Sequence, residues 1–154
     1  DIERKRLFGI TSTTHHDCSI NQDLYSHDST QRTYQRLQEI SGQLIQHGYP
    51  VIVDATFLSR TDRDGFSQLA EQAGAAFVIV HLKASEAVLR QRINDRYTLA
   101  TDASDAGISV LEHQLVANEP LGEDELCYTI SANTECPVNI QDVITHIQQF
   151  TESP

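Results

Sequence analysis

The sequence has 154 residues, the length of one compact domain, and 39% of them are hydrophobic, enough for a core without disulfide bonds. Acidic residues outnumber basic ones by 22 to 11, and this net charge of −11 argues against a nonspecific grip on long nucleic acid. Three cysteines without a CxxC pair favour a reducing compartment, and no apolar run is long enough for a membrane span, so we expect a cytoplasmic protein. The absence of methionine indicates a processed chain or a piece of a longer one.

Hydrophobic periodicity predicts helices and short apolar strands in alternation along the chain. Two stretches, 10–28 and 98–107, are polar and lack periodicity, so we expect loops there. The predicted helices are 2–8, one from a cap at Ser29 or Thr30 to a stop at Gly48, 61–73, one that opens at 85–86, 108–118, and 138–150 with Asn139 as cap. The predicted strands are 51–54, 77–82 and 126–131.

Strands separated by helices indicate βα units with right-handed crossovers. We therefore expect an α/β fold with three layers, α/β/α, in which helices cover both faces of a mainly parallel sheet of about three strands. No repeat or linker divides the chain, so 1–154 is interpreted as a single domain. Ligands of such sheets bind at the carboxyl ends of the strands, which directs attention to Asp54.

Asp54 follows three β-branched residues at the end of a predicted strand. An acidic residue at this position holds magnesium through water in phosphoryl-transfer proteins. The alternative is an aspartate that makes a turn or caps a helix, which is the more common role.

Three arginines, Arg90, Arg92 and Arg96, cluster in and after the third long helix, just before the polar loop. Arg92 and Arg96 are four residues apart and share one helix face. Guanidinium groups on such a segment suit an anion that is clamped only during a reaction. The alternative is a solvated helix face on which Glu86 and Asp95 are the neighbours.

Asp1 and Arg4 lie on one side of the first predicted helix. A carboxylate there can accept a hydroxyl proton while the arginine holds a phosphate or carboxylate, although Asp1 also suits a helix N-cap. The loop sequence His15-His16-Asp17-Cys18 has metal-ligand types, but no second cluster has ligand spacing. A zinc site there is the least favoured hypothesis.

Taken in order, several segments resemble P-loop kinases of the polynucleotide-kinase-like and zeta-toxin-like group. The similarity is closest to bacterial ATP-binding domains that follow an aminoglycoside-phosphotransferase-like domain. It runs from Asp1 to about Glu135, and the VIVDATF…R…R block is its most specific part. The segments that carry it are DIERKRLFG, YPVIVDATFLSRTDRDGF, FVIVHLKASEAVLRQRINDR, DASDA and LEHQL.

The resemblance implies an ATP-dependent kinase that transfers the γ-phosphate to a hydroxyl of a small molecule or nucleotide, with Mg²⁺. Asp1 is similar to the residue that orients or deprotonates the acceptor hydroxyl, and Arg4 would bind the acceptor's anionic group. Asp54 takes the acidic position that holds Mg²⁺ through water. Arg92 and Arg96 match arginines that neutralise the transferred phosphoryl group, with Arg90 as a weaker candidate, in a lid at approximately 90–107. The implied partners include neither long nucleic acid nor a membrane.

The family's Gly-rich loop has no counterpart in this sequence, whose only lysines are Lys5 and Lys83. We therefore expect the C-terminal part of a kinase domain, inactive without that loop. In the family a further strand lies between those that correspond to 51–54 and 77–82. We expect these two strands either to pair directly or to accept a second molecule between them, as a homodimer. A noncatalytic interaction or regulatory domain on the same scaffold is the alternative.

Overall fold

The computed structural model describes residues 1–10, 25–99 and 106–152, and helices and strands alternate along them. The mixed order and the parallel sheet confirm the expected α/β class. The elements are α1 (Ile2–Leu7), α2 (His27–Gln46), α3 (Arg60–Gln72), β1 (Ile79–Lys83), α4 (Glu86–Leu99), α5 (Ile108–Ala117), α6 (Glu123–Leu126), β2 (Thr129–Asn133) and α7 (Ile140–Glu152). None of the helices in these ranges is both long and apolar enough to cross a membrane.

Serine side chains begin two of the long helices. Ser59 caps α3, where its hydroxyl accepts from the Asp62 N–H at 3.1 Å. Helix α2 begins earlier than predicted, because Ser26 accepts from the Ser29 N–H at 3.2 Å. The predicted cap at Ser29 or Thr30 was therefore wrong, since the polar first turn carries no apolar residue that would reveal it. Gly48, with φ of +80°, follows α2 as expected.

The sheet consists of β1 and β2, which run parallel with Ile79 opposite Thr129 and Lys83 opposite Asn133. Residues 51–54 join no strand ladder within the described ranges, so the prediction of a strand at 51–54 was wrong and two of the three expected strands are present there. Of the two arrangements expected for 51–54 and β1, direct pairing does not occur, because within the described residues β1 pairs with β2. The other arrangement, a second molecule between them, stays a prediction. An apolar run predicts where a strand could form, but a strand also requires a neighbouring strand that accepts and donates its backbone hydrogen bonds.

Two groups of elements pack around separate small cores. In the helical region, defined as residues 2–72, α1 packs on α2 and α2 packs on α3. In the sheet region, defined as residues 79–152, α4 packs on α5, while α6 and α7 contact β2. The buried apolar side chains are Tyr34, Phe66 and Ala70 in the first region and Ile93, Leu111 and Ala132 in the second.

One face of β1 is exposed among the described residues. Leu82, on that face, is 62% exposed, and Val80 is exposed as well. In the run 51–54, Ile52 is 96% exposed. Both apolar segments therefore lack the covering layer that a buried parallel strand has on each face.

Candidate functional site

Asp1 and Arg4 form a pair at the start of α1. Asp1 occupies the N-cap position without a side-chain capping bond, and its Oδ1 lies 3.8 Å from Arg4 Nε. The charge of Asp54 acts on Asp1, so Asp54 lies within electrostatic range of the α1 start, and its own side chain is exposed. Two of the six predicted site residues are therefore in contact, with a third in the same part of the molecule.

Arg4 is buried between α1 and α2. Its Nη1 donates to Thr30 Oγ1 at 3.1 Å, and its guanidinium lies 5.1 Å from the centre of the Tyr25 ring. Burial lowers the pKa of Arg4, and the nearby Tyr25 and Tyr34 oppose that effect. Arginine remains charged throughout the physiological range, so a cation is fixed beside Asp1.

Tyr34 holds the turn that follows Asp54. Its hydroxyl oxygen accepts from the Phe57 N–H at 2.8 Å and lies 3.4 Å from Thr56 Oγ1. Phe57 has a φ of +47°, a left-handed conformation that costs free energy outside glycine and persists where neighbours enforce it. The Phe57 ring packs edge-on against Tyr34 with ring centres 5.3 Å apart. Periodicity identifies Tyr34 only as a helix core position, because its hydroxyl bond reaches a residue 23 positions away.

Arg90 lies in an exposed ion-pair cluster that joins α4 to α5. Its Nη2 is 2.7 Å from Glu86 Oε1 and 3.1 Å from Glu112 Oε1. The hydrogen bond that Arg90 donates to Glu86, followed by those it donates to Glu112, raises the pKa of Arg90. The predicted neighbour Glu86 is thus confirmed as a partner.

Arg92 and Arg96 reach different parts of the sheet region. Arg92 Nη1 donates to Thr134 Oγ1 at 3.0 Å, immediately after β2. Arg96 Nη2 donates to the Ala106 carbonyl at 2.7 Å. The three arginines of α4 therefore bind groups within the sheet region, whereas Asp1, Arg4 and Asp54 lie at the α1 start. Residues 100–105 of the expected lid lie outside the described residues.

A buried ion pair that the sequence interpretation missed connects the two regions. Arg63 Nε lies 2.6 Å from Glu125 Oε1, and Arg63 Nη2 lies 3.0 Å from Glu125 Oε2, with the two side chains 5% and 1% exposed. The Gly122 N–H also donates to Glu125 at 2.8 Å. The remaining guanidinium hydrogens point to the carbonyls of Phe57, Leu58, Glu119 and Pro120.

The pKa values of both partners reflect this pairing. The hydrogen bond from Arg63 lowers the pKa of Glu125 despite the burial that opposes it, and the same bond raises the pKa of Arg63. A sequence signal existed, because Arg63 stands three residues before Phe66 and seven before Ala70, on the buried face of α3. Its partner, 62 positions away, could not be read from spacing.

Within the described ranges, no group of three or more His, Cys, Asp or Glu residues is arranged to hold a metal ion. The predicted ligands 15–18 lie outside those ranges. Asp54 presents one exposed carboxylate. One carboxylate suits Mg²⁺ that keeps most of its water and takes its other ligands from phosphates.

A family model described as AAA domain matches residues 1–121, which is more than half of the chain. The matched range includes all six predicted site residues. No curated protein and no solved structure matches the chain.

Proposed function

The chain belongs to the AAA domain family, a P-loop NTPase-like, kinase-type group, and on that premise we propose that it is the C-terminal portion of an ATP-dependent kinase. The proposed reaction transfers the γ-phosphate of ATP to a hydroxyl of a small molecule or nucleotide. The observation that supports it most is the Asp1–Arg4 pair, with the charge of Asp54 within electrostatic range, inside the residues that the family model matches.

Asp1 is the proposed base. Its carboxylate accepts the proton of the acceptor hydroxyl as the oxygen–phosphorus bond forms and the bond from the γ-phosphorus to the bridging oxygen of ADP breaks. Arg4 lies 3.8 Å from that carboxylate, which orients it, and we propose that Arg4 binds an anionic group of the acceptor. Asp54 would hold Mg²⁺ through water, and the metal would neutralise charge on the phosphates.

Arg92 and Arg96 are the proposed clamps of the transferred phosphoryl group, with Arg90 in a supporting role. Arg92 and Arg96 bind hydroxyl or carbonyl oxygens, at Thr134 and Ala106. Phosphate oxygens carry more negative charge than these neutral acceptors and therefore compete for the same N–H groups. Arg90 binds two carboxylates and is correspondingly less available.

The proposal requires an ATP-gripping loop from residues upstream of Asp1. Neither Lys5 nor Lys83 follows a Gly-rich stretch, so no GxxxxGK sequence is available to cradle the β- and γ-phosphates. The exposed apolar side chains of Ile52 and Leu82 support an additional strand together with a helix that packs on the sheet and covers them. We propose that the same upstream segment supplies both the strand and the loop.

The test begins with the gene sequence that precedes Asp1 and with the protein extended by those natural residues. We expect a Gly-rich loop with Lys and Ser or Thr, and ATP binding by isothermal titration calorimetry that the shorter chain lacks. In the extended protein, Asp1→Asn and Arg92→Ala should lower kcat about 100-fold or more, with little change in ATP affinity. Arg36→Ala, an exposed arginine of α2 paired with Glu39, is the matched control. An extended protein that does not bind ATP would refute the proposal.

A noncatalytic interaction or regulatory domain is the second candidate. The contacts of Arg90 and Arg92 with Glu112 and Thr134 favour it, because they give these arginines a structural role without any nucleotide. This candidate predicts an upstream sequence without a Gly-Lys-Ser/Thr loop. It also predicts that Arg92→Ala changes stability rather than turnover.

A further inference from the structure

An open cleft of about 510 Å³ lies between α2 and α3. A cavity of this size suits a small metabolite. The residues that line it are Gln31, Tyr34, Gln35, Gln38, Thr61, Asp62, Asp64, Gly65 and Gln68.

The lining is rich in hydrogen-bonding groups, and its charged members are acidic. Four glutamine amides, the Thr61 hydroxyl and two carboxylates lie along the cleft, whereas no lysine or arginine is among the described residues that line it. Arg60, beside the cleft, is shared between Asp64, at 3.4 Å, and Asp124, and Arg63 binds Glu125. The net charge of the cleft is therefore negative, which favours hydroxyl and amine groups over phosphate.

Close packing shapes this cleft at one point. A Cβ on Gly65 would lie 2.3 Å from Gln38 Nε2, so the glycine lets this amide lie against α3, and a larger residue would displace the end of the Gln38 side chain. Asp62 is also held in place, because its Oδ2 accepts from the Ser59 hydroxyl at 2.8 Å. Its other oxygen keeps lone pairs for a ligand.

The cleft adjoins the candidate site through Tyr34. Tyr34 lines the cleft and also binds the turn after Asp54 through the Phe57 N–H. Thr30, which accepts from Arg4, lies four residues before Tyr34 on the same face of α2. A ligand in the cleft therefore lies beside the elements that carry Asp1, Arg4 and Asp54.

We propose that this cleft binds the phosphate acceptor, and that the acceptor is a polyhydroxylated, amine-bearing molecule of sugar size without a phosphate of its own. The acceptor role rests on the proposed kinase function, but the binding chemistry does not. The carboxylates at 62 and 64, the second of which also pairs with Arg60, favour a cationic amine, and the glutamine amides pair with hydroxyls in either direction. This narrows the acceptor to molecules without a phosphate and excludes a nucleotide. Such an acceptor brings no anionic group to Arg4, whose role is then to pair with Asp1.

The test is a binding experiment on the chain itself, with ¹⁵N-labelled protein and two probes that differ by one phosphate. Glucosamine should perturb the side-chain amide signals of Gln35, Gln38 and Gln68, and it should bind more tightly than glucosamine 6-phosphate. Tighter binding of the phosphorylated probe would overturn the proposal and favour Arg4 as an anion site. Absence of glucosamine binding at millimolar concentration would overturn it as well.

Two cleft variants and a control locate the binding. Gln38→Ala and Gln35→Ala should each weaken glucosamine binding about tenfold, as expected for one or two lost hydrogen bonds. Gln43→Ala removes an exposed glutamine of α2 that does not line the cleft, and it should leave binding unchanged. Gln35 is exposed, so its variant folds even if the Gln38 variant does not. Unchanged affinity in a folded cleft variant would contradict the assignment.

These outcomes separate the cleft from the kinase proposal. Glucosamine that binds in the cleft but is not phosphorylated by the ATP-binding extended protein would support the site and refute its acceptor role. Phosphorylation of another compound without any binding in the cleft would leave the kinase proposal intact and refute this inference.

Discussion

The helical region and the sheet region differ in the polarity of the side chains that they bury. Among the described residues, most of the buried side chains of the helical region are polar or charged, namely Arg4, Lys5, Ser29, Thr33, Ser41 and Arg63. In the sheet region most of them are apolar, namely Ile93, Leu111 and Ala132. Both regions also expose large apolar side chains, and in the sheet region these are Val80, Leu82, Leu115, Val116, Leu126, Ile140 and Ile144. Buried polar groups are tolerated where hydrogen bonds satisfy them, so the helical region is built around a bonded network. The apolar surface of the sheet region is uncovered within the described chain and suits a covering partner.

The largest expected effect comes from the ion pair between the two regions. Arg63→Ala leaves the Glu125 carboxylate buried without its cation, and we expect a loss of about 3–5 kcal/mol in the free energy of unfolding. Urea denaturation followed by circular dichroism measures it. Arg60→Ala, which breaks the exposed pair with Asp124, is the control and should change stability little. Equal losses of stability in the two variants would mean that burial does not increase the contribution of the Arg63–Glu125 pair.

A matched pair of leucine substitutions tests the uncovered surface. Leu111→Ala empties a buried position in the sheet region and should cost about 2–3 kcal/mol, whereas Leu82→Ala, at 62% exposure, should cost less than about 0.5 kcal/mol. Thermal and urea unfolding of the two variants give the comparison. In the protein extended upstream of Asp1, the cost of Leu82→Ala should rise to that of a buried leucine. If the stability cost of Leu82→Ala were unchanged in the extended protein, it would argue against an upstream segment that covers β1.

A single hydroxyl group tests the bonded network of the helical region. Tyr34→Phe removes the acceptor of the Phe57 N–H and should cost about 1–2 kcal/mol, since it leaves that donor unpaired next to a left-handed residue. Tyr49→Phe, at an exposed tyrosine, should have no measurable effect on urea denaturation. If the two variants lose equal stability, the Tyr34 hydroxyl does not hold the turn.

The last prediction concerns the stability that the chain loses in acid, a loss that is absent at neutral pH. Arg63 lowers the pKa of Glu125 in the folded chain, so the stabilisation is complete above the unfolded pKa of about 4.3 and is lost as pH falls towards the folded value. Unfolding free energies measured from pH 7 to pH 3 should decline less steeply for Glu125→Gln than for the parent chain. A variant with the same acid slope would show that Glu125 does not titrate in this way.

Local patterns were enough for most of the long helices and insufficient for the contacts between elements. Helix α3 lies within one residue of its prediction at each end, because hydrophobic periodicity is a local signal. Residues 51–54 carry the local signal of a strand, yet they form no ladder in the described ranges, since pairing depends on a neighbour. Of the site, spacing predicted the Asp1–Arg4 pair. It could not reveal Tyr34 or Glu125, whose partners lie 23 and 62 positions away.

The Arg63–Glu125 pair also constrains how this chain can diverge. The Arg63 guanidinium binds the Glu125 carboxylate and the carbonyls at 57, 58, 119 and 120, so it contacts both the helical region and the sheet region. An apolar pair of similar volume could replace both side chains at little cost, but every single step towards it leaves one enclosed charge alone. Positions 63 and 125 should therefore rarely change in related sequences, and where one of them changes the other should change with it.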